Sequence, residues 1–183
     1  KSLSNHASGL RSFYQFCQIR KLTEHNPFKN IPLPKAEKSL PKFFTESQVQ
    51  DLMRAALTIH EDSDHADFLG SRDEIILHLL YGGGLRVSEV VGLNHGDLEL
   101  NNRLVRVRGK GGKERVCPIA ESTALKISHF LKVHSRDNSL ESPLLTNYNG
   151  KRLTTRWIQL MLKNCLKRAS LPSDFTQKKI KKC

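Results

Sequence analysis

Residues 81–93 read YGGGLRVSEVVGL. The three successive glycines permit a sharp turn and a close approach of the backbone just before Arg86. Apolar residues follow Arg86 at helical spacing, so we expect a short helix that anchors this arginine against a core. Glu89 follows one helical turn later, at a spacing that allows it to pair with Arg86. The stretch therefore predicts an arginine fixed at the start of a helix, beside an acidic partner.

A basic stretch follows at residues 103–115, which read RLVRVRGKGGKER. Two strand-like runs, 103–108 and 114–119, flank a glycine-rich turn and predict an antiparallel hairpin with Lys110 at its tip. A guanidinium on a rigid element and an ammonium on a mobile tip together suit the binding of a phosphate. The third glycine of the dinucleotide-binding pattern is missing, as is the Ser or Thr of the P-loop. We therefore do not expect a mononucleotide site.

The composition favours a polyanionic partner. The chain has 183 residues, with 30 Lys and Arg against 18 Asp and Glu, and this net charge of +12 suits nucleic acid. A basic but indifferent surface is the alternative. No run is apolar enough to span a membrane, and no apolar segment near the start resembles a signal peptide. Because the four cysteines are far apart and lack CxxC spacing, we expect a reducing compartment, the cytoplasm, without disulfides or metal.

Apolar residues and prolines divide the chain into three segments. Residues 1–25 contain an apolar stripe at three- and four-residue intervals, which predicts a helix whose apolar face needs a partner. Residues 26–41 contain four of the seven prolines and predict an extended linker. Residues 42–183 are expected to be mostly helical with one small hairpin, so the predicted fold class is mainly α with a small antiparallel β hairpin or sheet.

Capping boxes predict where two helices begin in the third segment. Thr45 with Gln48, and Ser71 with Glu74, have the required spacing of three residues. The acidic loop at residues 61–70 lacks the closing glutamate of a calcium loop, so we expect no metal there. Further helices are expected at residues 121–134 and 154–169. The helix that begins after Thr45 is predicted to bury one face, which comprises Val49, Leu52, Met53, Ala56 and Leu57.

The two basic stretches together resemble the tyrosine recombinase family of the Xer and phage-integrase kind. Arg86 and Lys110 are separated by 24 positions, as in Xer-type members. The resemblance extends back through SLPKFFTESQVQDLM and forward through SPLLTNYNGKRLTTRWIQLMLK, so it covers nearly the whole chain. It implies that residues 1–25 are the remnant of an N-terminal helical domain that clamps DNA. Residues 26–41 would be the linker, and residues 42–183 a catalytic domain without its C-terminal part.

The resemblance also implies roles for individual residues. Arg86 matches the family's first arginine, which binds the phosphate. Lys110 matches the lysine that protonates the leaving 5′-oxygen, and Glu89 matches the supporting acid. The other hairpin cations are expected to contact DNA: Arg103, Arg106, Arg108, Lys113 and Arg115. The implied reaction is site-specific recombination through a 3′-phosphotyrosyl intermediate, with no metal or cofactor. The implied partners are double-stranded DNA and further recombinase subunits, in a tetramer when the protein is full length, and no membrane.

Part of the family's catalytic set is missing from the sequence. The family continues with a T-P-H-x-L-R-H motif, then a histidine or tryptophan and the tyrosine, whereas this chain reads TQKKIKKC from Thr176. Lys178 and Lys181 stand at the positions of the histidine and the second arginine, and no His-x-x-Arg occurs in the chain. The three tyrosines all precede the position of the nucleophile: Tyr14, Tyr81 and Tyr148. We therefore expect a truncated recombinase that binds DNA without cleaving it.

Two other functions are compatible with these residues. The chain could be a catalytically inactive DNA-binding module that occupies recombination sites or regulates an active partner. General RNA binding is less favoured, because only 7% of the residues are aromatic and no strand offers a base-stacking surface. The lysine-rich end is compatible with a truncation, a frameshift or a true divergence.

Overall fold

A computed structural model of the chain describes residues 2–32, 44–134 and 139–172. Backbone contacts group the chain into two units, Lys1–Pro41 and Lys42–Cys183. The helices are α1 (Ser2–Ile19), α2 (Glu46–Thr58), α3 (Ala66–Leu77), α4 (Val87–Gly92), α5 (Glu121–His134) and α6 (Thr155–Arg168). The strands are β1 (Leu98–Glu99), β2 (Leu104–Arg108) and β3 (Glu114–Pro118). A mainly helical structure with one small antiparallel sheet confirms the predicted fold class.

The described part of the first unit consists of α1 and the turn that follows it. Asn26 donates Nδ2 to the carbonyl of Arg11 at 3.1 Å, and Arg11 donates Nε to the carbonyl of Phe28 at 3.1 Å. The ring of Phe28 lies 5.5 Å from that of Tyr14. These contacts fold residues 26–32 back onto α1, so this part of the predicted linker is not extended. The rest of the predicted linker, from residue 33, lies outside the described residues.

Helix α2 begins as its capping box predicts. Thr45 Oγ1 accepts a hydrogen bond from the backbone of Gln48 at 3.3 Å, and Gln48 Oε1 accepts one from the backbone of Thr45 at 3.0 Å. The helix buries Leu52, Ala55 and Ala56. Leu57 is 44% exposed, so its predicted place on the buried face is wrong. The buried face of α2 is centred on positions 52, 55 and 56, so position 57 lies at its edge.

Helix α3 begins five residues before the predicted capping box of Ser71 and Glu74, which is therefore wrong as a helix start. Glu74 Oε1 instead lies 2.9 Å from Nζ of Lys126 on α5. Gly70 lies inside α3, where a Cβ atom would be 2.9 Å from the carbonyl oxygen of Leu57. The glycine thus permits close packing of α2 on α3, and the helix continues through it.

A buried ion pair joins α3 to the rest of the second unit. Arg72 donates Nη2 to Oδ1 of Asp73 at 2.7 Å, and both side chains are almost completely excluded from solvent. His60 Nε2 lies 2.9 Å from the other Asp73 oxygen. The Arg72 guanidinium also stacks on the ring of Trp157, 4.1 Å from its centroid. The pair therefore connects α3 with the start of α6, and hydrogen bonds satisfy both charges.

The sheet consists of the predicted hairpin and one additional strand. Its order is β1-β2-β3, all antiparallel, with Val105 opposite Cys117 and Val107 opposite Arg115. One face of the sheet packs on the core through Val105, Val107 and Cys117, and Arg106 lies on the other face. No described helix is both long and apolar enough to cross a membrane.

Candidate nucleic-acid interface

The glycine turn fixes the position of Arg86. Gly84 adopts φ +61°, a left-handed conformation that favours glycine, and a Cβ atom on Gly83 would meet the carbonyl of Leu79 at 2.9 Å. Leu85 and Val87 are buried on either side of Arg86, whose own side chain remains 55% exposed. The turn therefore presents the guanidinium to solvent from a backbone that is anchored on both sides.

Glu89 is the buried centre of the site. Its Oε2 accepts from the backbone N–H of Arg86 at 2.6 Å, and its Oε1 accepts from Nη1 of Arg86 at 2.6 Å. Arg115 donates Nη1 to Oε1 at 2.6 Å and Nη2 to Oε2 at 3.0 Å. The predicted pairing of Arg86 with Glu89 is present, and Glu89 is buried beneath the exposed guanidinium.

Charge keeps Glu89 ionised. Burial raises its pKa, but hydrogen bonds from Arg115 and Arg86 outweigh burial and lower the pKa to about 2. The same hydrogen bond to Glu89 raises the pKa of Arg115. At neutral pH the site therefore contains two guanidinium cations and one carboxylate, and the cluster carries a net positive charge that suits an anion.

Arg115 has a position that the sequence did not predict. It was expected to contact DNA from the hairpin, whereas β3 directs it inward to Glu89, 26 residues earlier in the chain. Its side chain is still 40% exposed. The alternation of β3 contains a signal for this placement, since Arg115, Cys117 and Ile119 share one face and the last two are buried.

The hairpin tip is a tight turn. Lys110–Gly112 forms a 3₁₀ turn, closed by a 2.7 Å hydrogen bond from the Gly109 N–H to the Lys113 carbonyl. Positive φ angles of 77° and 74° explain the glycines at positions 111 and 112. The side chain of Lys110 lies outside what the structure describes, so its role as an acid remains a prediction. Lys113 is exposed next to the turn.

The other predicted DNA-binding arginines are paired with acids at the surface. Arg106 lies 2.9 Å from Glu99 across the sheet, and Arg108 lies 2.9 Å from Glu114. Arg103 lies farther from its partner Glu121, at 3.7 Å. Arg106 and Arg108 are on the sheet face opposite Arg115, so the structure does not bring them into the Arg86 cluster. Exposed pairs contribute only about 0–1 kcal/mol, so a phosphate could displace the acids, and the predicted DNA contacts remain predictions.

The structure describes ring contacts for two of the three tyrosines of the sequence. Lys178 and Lys181 lie outside the described residues. Tyr14 packs on Phe28, and Tyr148 stacks on His65 with ring centroids 3.2 Å apart. Within the three described ranges, no group of three or more His, Cys, Asp and Glu side chains could hold a metal ion.

Comparison with known families identifies the second unit. The profile of the phage integrase family matches residues 42–182. The chain belongs to the phage integrase family. The resemblance that Arg86, Lys110 and their surroundings indicated is thereby confirmed.

Curated relatives of this phage integrase family chain include tyrosine recombinases named XerC. The XerC of Staphylococcus carnosus (strain TM300) is 36% identical over 181 residues, which cover 98% of this chain and 59% of the relative. The XerC of Chlamydia caviae is 33% identical over 178 residues, which cover 96% of this chain and 55% of the relative. The chain thus spans a little more than half the length of these relatives.

Solved structures of a recombinase and of a transposon integrase show the same fold. The crystal structure of XerA recombinase matches with a TM-score of 0.63 and 21% identity, over 97% of this chain and 58% of that one. The Tn1549 transposon integrase in complex with circular intermediate DNA matches with a TM-score of 0.72 and 20% identity, over 99% of this chain and 64% of that one.

Proposed function

We propose that this chain is part of a tyrosine recombinase that performs site-specific DNA recombination, cutting and rejoining strands through a 3′-phosphotyrosyl intermediate. The observation that carries the proposal is the cluster of Arg86, Glu89 and Arg115, in which two partly exposed guanidinium groups bind one buried, ionised carboxylate. Support also comes from membership of the phage integrase family and from relatives that are named recombinases.

Arg86 suits the stabilisation of a phosphate undergoing attack. The described contacts of its guanidinium use Nη1, and a guanidinium has five N–H donors in a planar fork. The remaining donors suit two oxygens of one phosphate. Because Glu89 and the anchored turn fix the guanidinium in advance, it can stabilise the negative charge of the pentavalent transition state without reorganising.

Lys110 is proposed to protonate the departing 5′-oxygen. Its backbone lies at the tip of the hairpin that also carries Arg115, and Arg115 is hydrogen-bonded to Glu89 beside Arg86. The turn that carries Lys110 is therefore linked to Arg86 through Arg115 and Glu89. General-acid catalysis of this kind contributes about 10²- to 10⁴-fold to a reaction rate.

The proposed domain roles follow the two units. Residues 1–25 would belong to a helical domain that clamps DNA, residues 26–41 would be the linker, and residues 42–183 would belong to the catalytic domain. Support comes from the family match at residues 42–182 and from the grouping of backbone contacts into two units. We further propose a cytoplasmic location, which suits four scattered cysteines in a protein that acts on DNA.

Double-stranded DNA and further recombinase subunits are the proposed partners. The Tn1549 integrase neighbour is bound to circular intermediate DNA, and a lambda integrase neighbour is a dimer bound to a core site. The sequence contains no His-x-x-Arg, which favours a second candidate function, a DNA-binding module that does not cleave DNA. In either case we propose that the chain as given binds DNA without cutting it.

Fluorescence anisotropy with a labelled duplex tests the DNA-binding part of the proposal. With a net charge of +12, several phosphate contacts are expected, and affinity should fall by about 10³-fold or more between 50 and 200 mM salt. An RNA hairpin of the same length should compete poorly. A dissociation constant that does not depend on salt, or no binding at low salt, would contradict the proposal.

A further inference from the structure

We propose that Arg115 is a positioning residue that, through the carboxylate of Glu89, fixes the orientation of Arg86 and leaves its positive charge uncompensated. The inference rests on the proposed function, in which Arg86 binds a DNA phosphate. It differs from the sequence-based prediction that Arg115 contacts DNA directly.

The geometry of the carboxylate supports this role. Arg115 forms a two-pronged contact, with Nη1 2.6 Å from Oε1 and Nη2 3.0 Å from Oε2 of Glu89. Arg86 approaches the same two oxygens with Nη1 and its backbone N–H, each at 2.6 Å. A planar guanidinium that binds both oxygens fixes the plane of the carboxylate, and that plane determines where Nη1 of Arg86 can lie.

The charge balance of Arg86, Glu89 and Arg115 supports the same role. Two guanidinium groups share one buried carboxylate, so the cluster keeps one uncompensated positive charge for a ligand. If Arg115 were absent, the carboxylate of Glu89 would have Arg86 as its sole arginine partner and would neutralise it. Arg86 would then attract a phosphate less strongly, although its own side chain was unchanged.

Strand β3 links the contact between Arg115 and Glu89 to the hairpin tip. Arg115 lies opposite Val107 on the core-facing side of β2 and β3, three residues after Gly112. Its contact with Glu89 therefore fixes the end of β3 that leads into the turn bearing Lys110. A single side chain thus connects the backbone of the Lys110 turn with the helix that begins after Arg86.

Direct contact with a phosphate is the competing explanation, because the Arg115 side chain is 40% exposed. The two explanations differ in what happens when Arg86 is already removed. A positioning residue has nothing left to position, whereas a phosphate-binding residue still loses its own contact. Arg115→Lys tests the planar fork apart from the charge, because lysine keeps the charge and lacks the fork.

The first experiment measures the titration of the Glu89 carboxyl group in the absence of DNA. The ¹³C signal of its side-chain carboxyl group is followed by NMR against pH in the 183-residue chain, in Arg115→Ala and in the control Arg108→Ala. Wild type and control should show no titration above pH 3, whereas in Arg115→Ala the midpoint should rise by about one pH unit or more. An unchanged midpoint in Arg115→Ala would overturn the inference.

The second experiment measures duplex affinity at low salt for Arg86→Ala, Arg115→Ala and the double variant. Each single variant should bind about 10- to 100-fold more weakly than wild type, and the double variant should match Arg86→Ala within about twofold. Arg115→Lys, which keeps the charge without the planar fork, should bind more weakly than wild type and more tightly than Arg115→Ala, and its loss should also disappear when Arg86 is already alanine. Losses that multiply in the double variant, as expected for the control pair Arg86→Ala and Arg108→Ala, would show direct phosphate contact and overturn the inference.

The two experiments also separate this inference from the proposed function. A chain that binds no DNA but shows the rise in the Glu89 midpoint would refute DNA binding and retain the coupling of the three residues. Circular dichroism of each variant checks the fold, and Arg115→Lys replaces Arg115→Ala in both experiments if the alanine variant does not fold. Because lysine keeps the charge, a smaller rise of the Glu89 midpoint above that of Arg108→Ala is then expected, and an unchanged midpoint would again overturn the inference.

Discussion

Replacing Glu89 by glutamine should destabilise the second unit at neutral pH and have a much smaller effect in acid. The pKa of Glu89 is about 2 in the folded chain, against an ordinary value of 4.5. This difference corresponds to about 3 kcal/mol in the free energy of unfolding at pH 7. Because the folded-state pKa is the lower one, the contribution is complete above about pH 4.5 and is lost as the pH falls through 2.

The magnitude at an intermediate pH follows from the same two values. At pH 3 a contribution of about 1.4 kcal/mol should remain, so the destabilisation caused by Glu89→Gln should shrink by about 2 kcal/mol between pH 7 and pH 3. The amide also cannot accept from all four donors, and this part of the cost does not depend on pH. The change with pH, and not the absolute cost, therefore measures the ion pairs.

Urea denaturation followed by Trp157 fluorescence is the appropriate assay. Trp157 is the chain's one tryptophan, and it lies in α6 against Arg72, so it reports on the second unit. Glu114→Gln is the matched control, because it removes an exposed acid that pairs with Arg108 and should change the free energy of unfolding by about 0.5 kcal/mol or less. A destabilisation by Glu89→Gln that is equal at pH 7 and pH 3 would refute the reasoning.

Three further predictions concern packing and catalysis. Gly70→Ala should destabilise the chain by about 1–3 kcal/mol in the same urea assay, because the new methyl group would meet the Leu57 carbonyl. Gly92→Ala should cost less, because a Cβ atom there would meet no atom within 4 Å apart from its chain neighbours and its own helix backbone; equal costs would contradict this account. In a form that spans the full length of the relatives, Arg86→Ala should slow DNA cleavage by about 10²- to 10³-fold. Lys110→Ala should slow cleavage of an ordinary 5′-oxygen far more than that of a 5′-bridging sulfur, which departs without a proton. Equal slowing of the two substrates would show that Lys110 is not the acid.

The sequence predicts the parts of the site that depend on short spacings. Arg86 and Glu89 are three residues apart, and Thr45 with Gln48 closes a capping box, so helical geometry alone brings each pair together. The hairpin around Lys110 is also local, because glycines with positive φ define its turn. These elements required no knowledge of tertiary packing.

Contacts between distant elements could not be predicted from spacing. The contact of Arg115 with Glu89 spans 26 residues and depends on how β3 packs against α4. Ser71 was expected to cap a helix, yet Gly70 allows α2 to approach so closely that α3 continues through both residues. The burial of Arg72 likewise depends on the ring of Trp157, 85 positions later in the chain.

Covalent trapping on DNA tests the central claim most directly. A duplex with a 5′-bridging phosphorothiolate is incubated with three proteins: a form spanning the full length of the relatives, its Arg86→Ala variant and the 183-residue chain. The full-length form should accumulate a 3′-phosphotyrosyl adduct, its Arg86→Ala variant should do so about 10²- to 10³-fold more slowly, and the 183-residue chain should form none. An adduct on the 183-residue chain, or an Arg86→Ala variant that reacts as fast as its parent, would contradict the account.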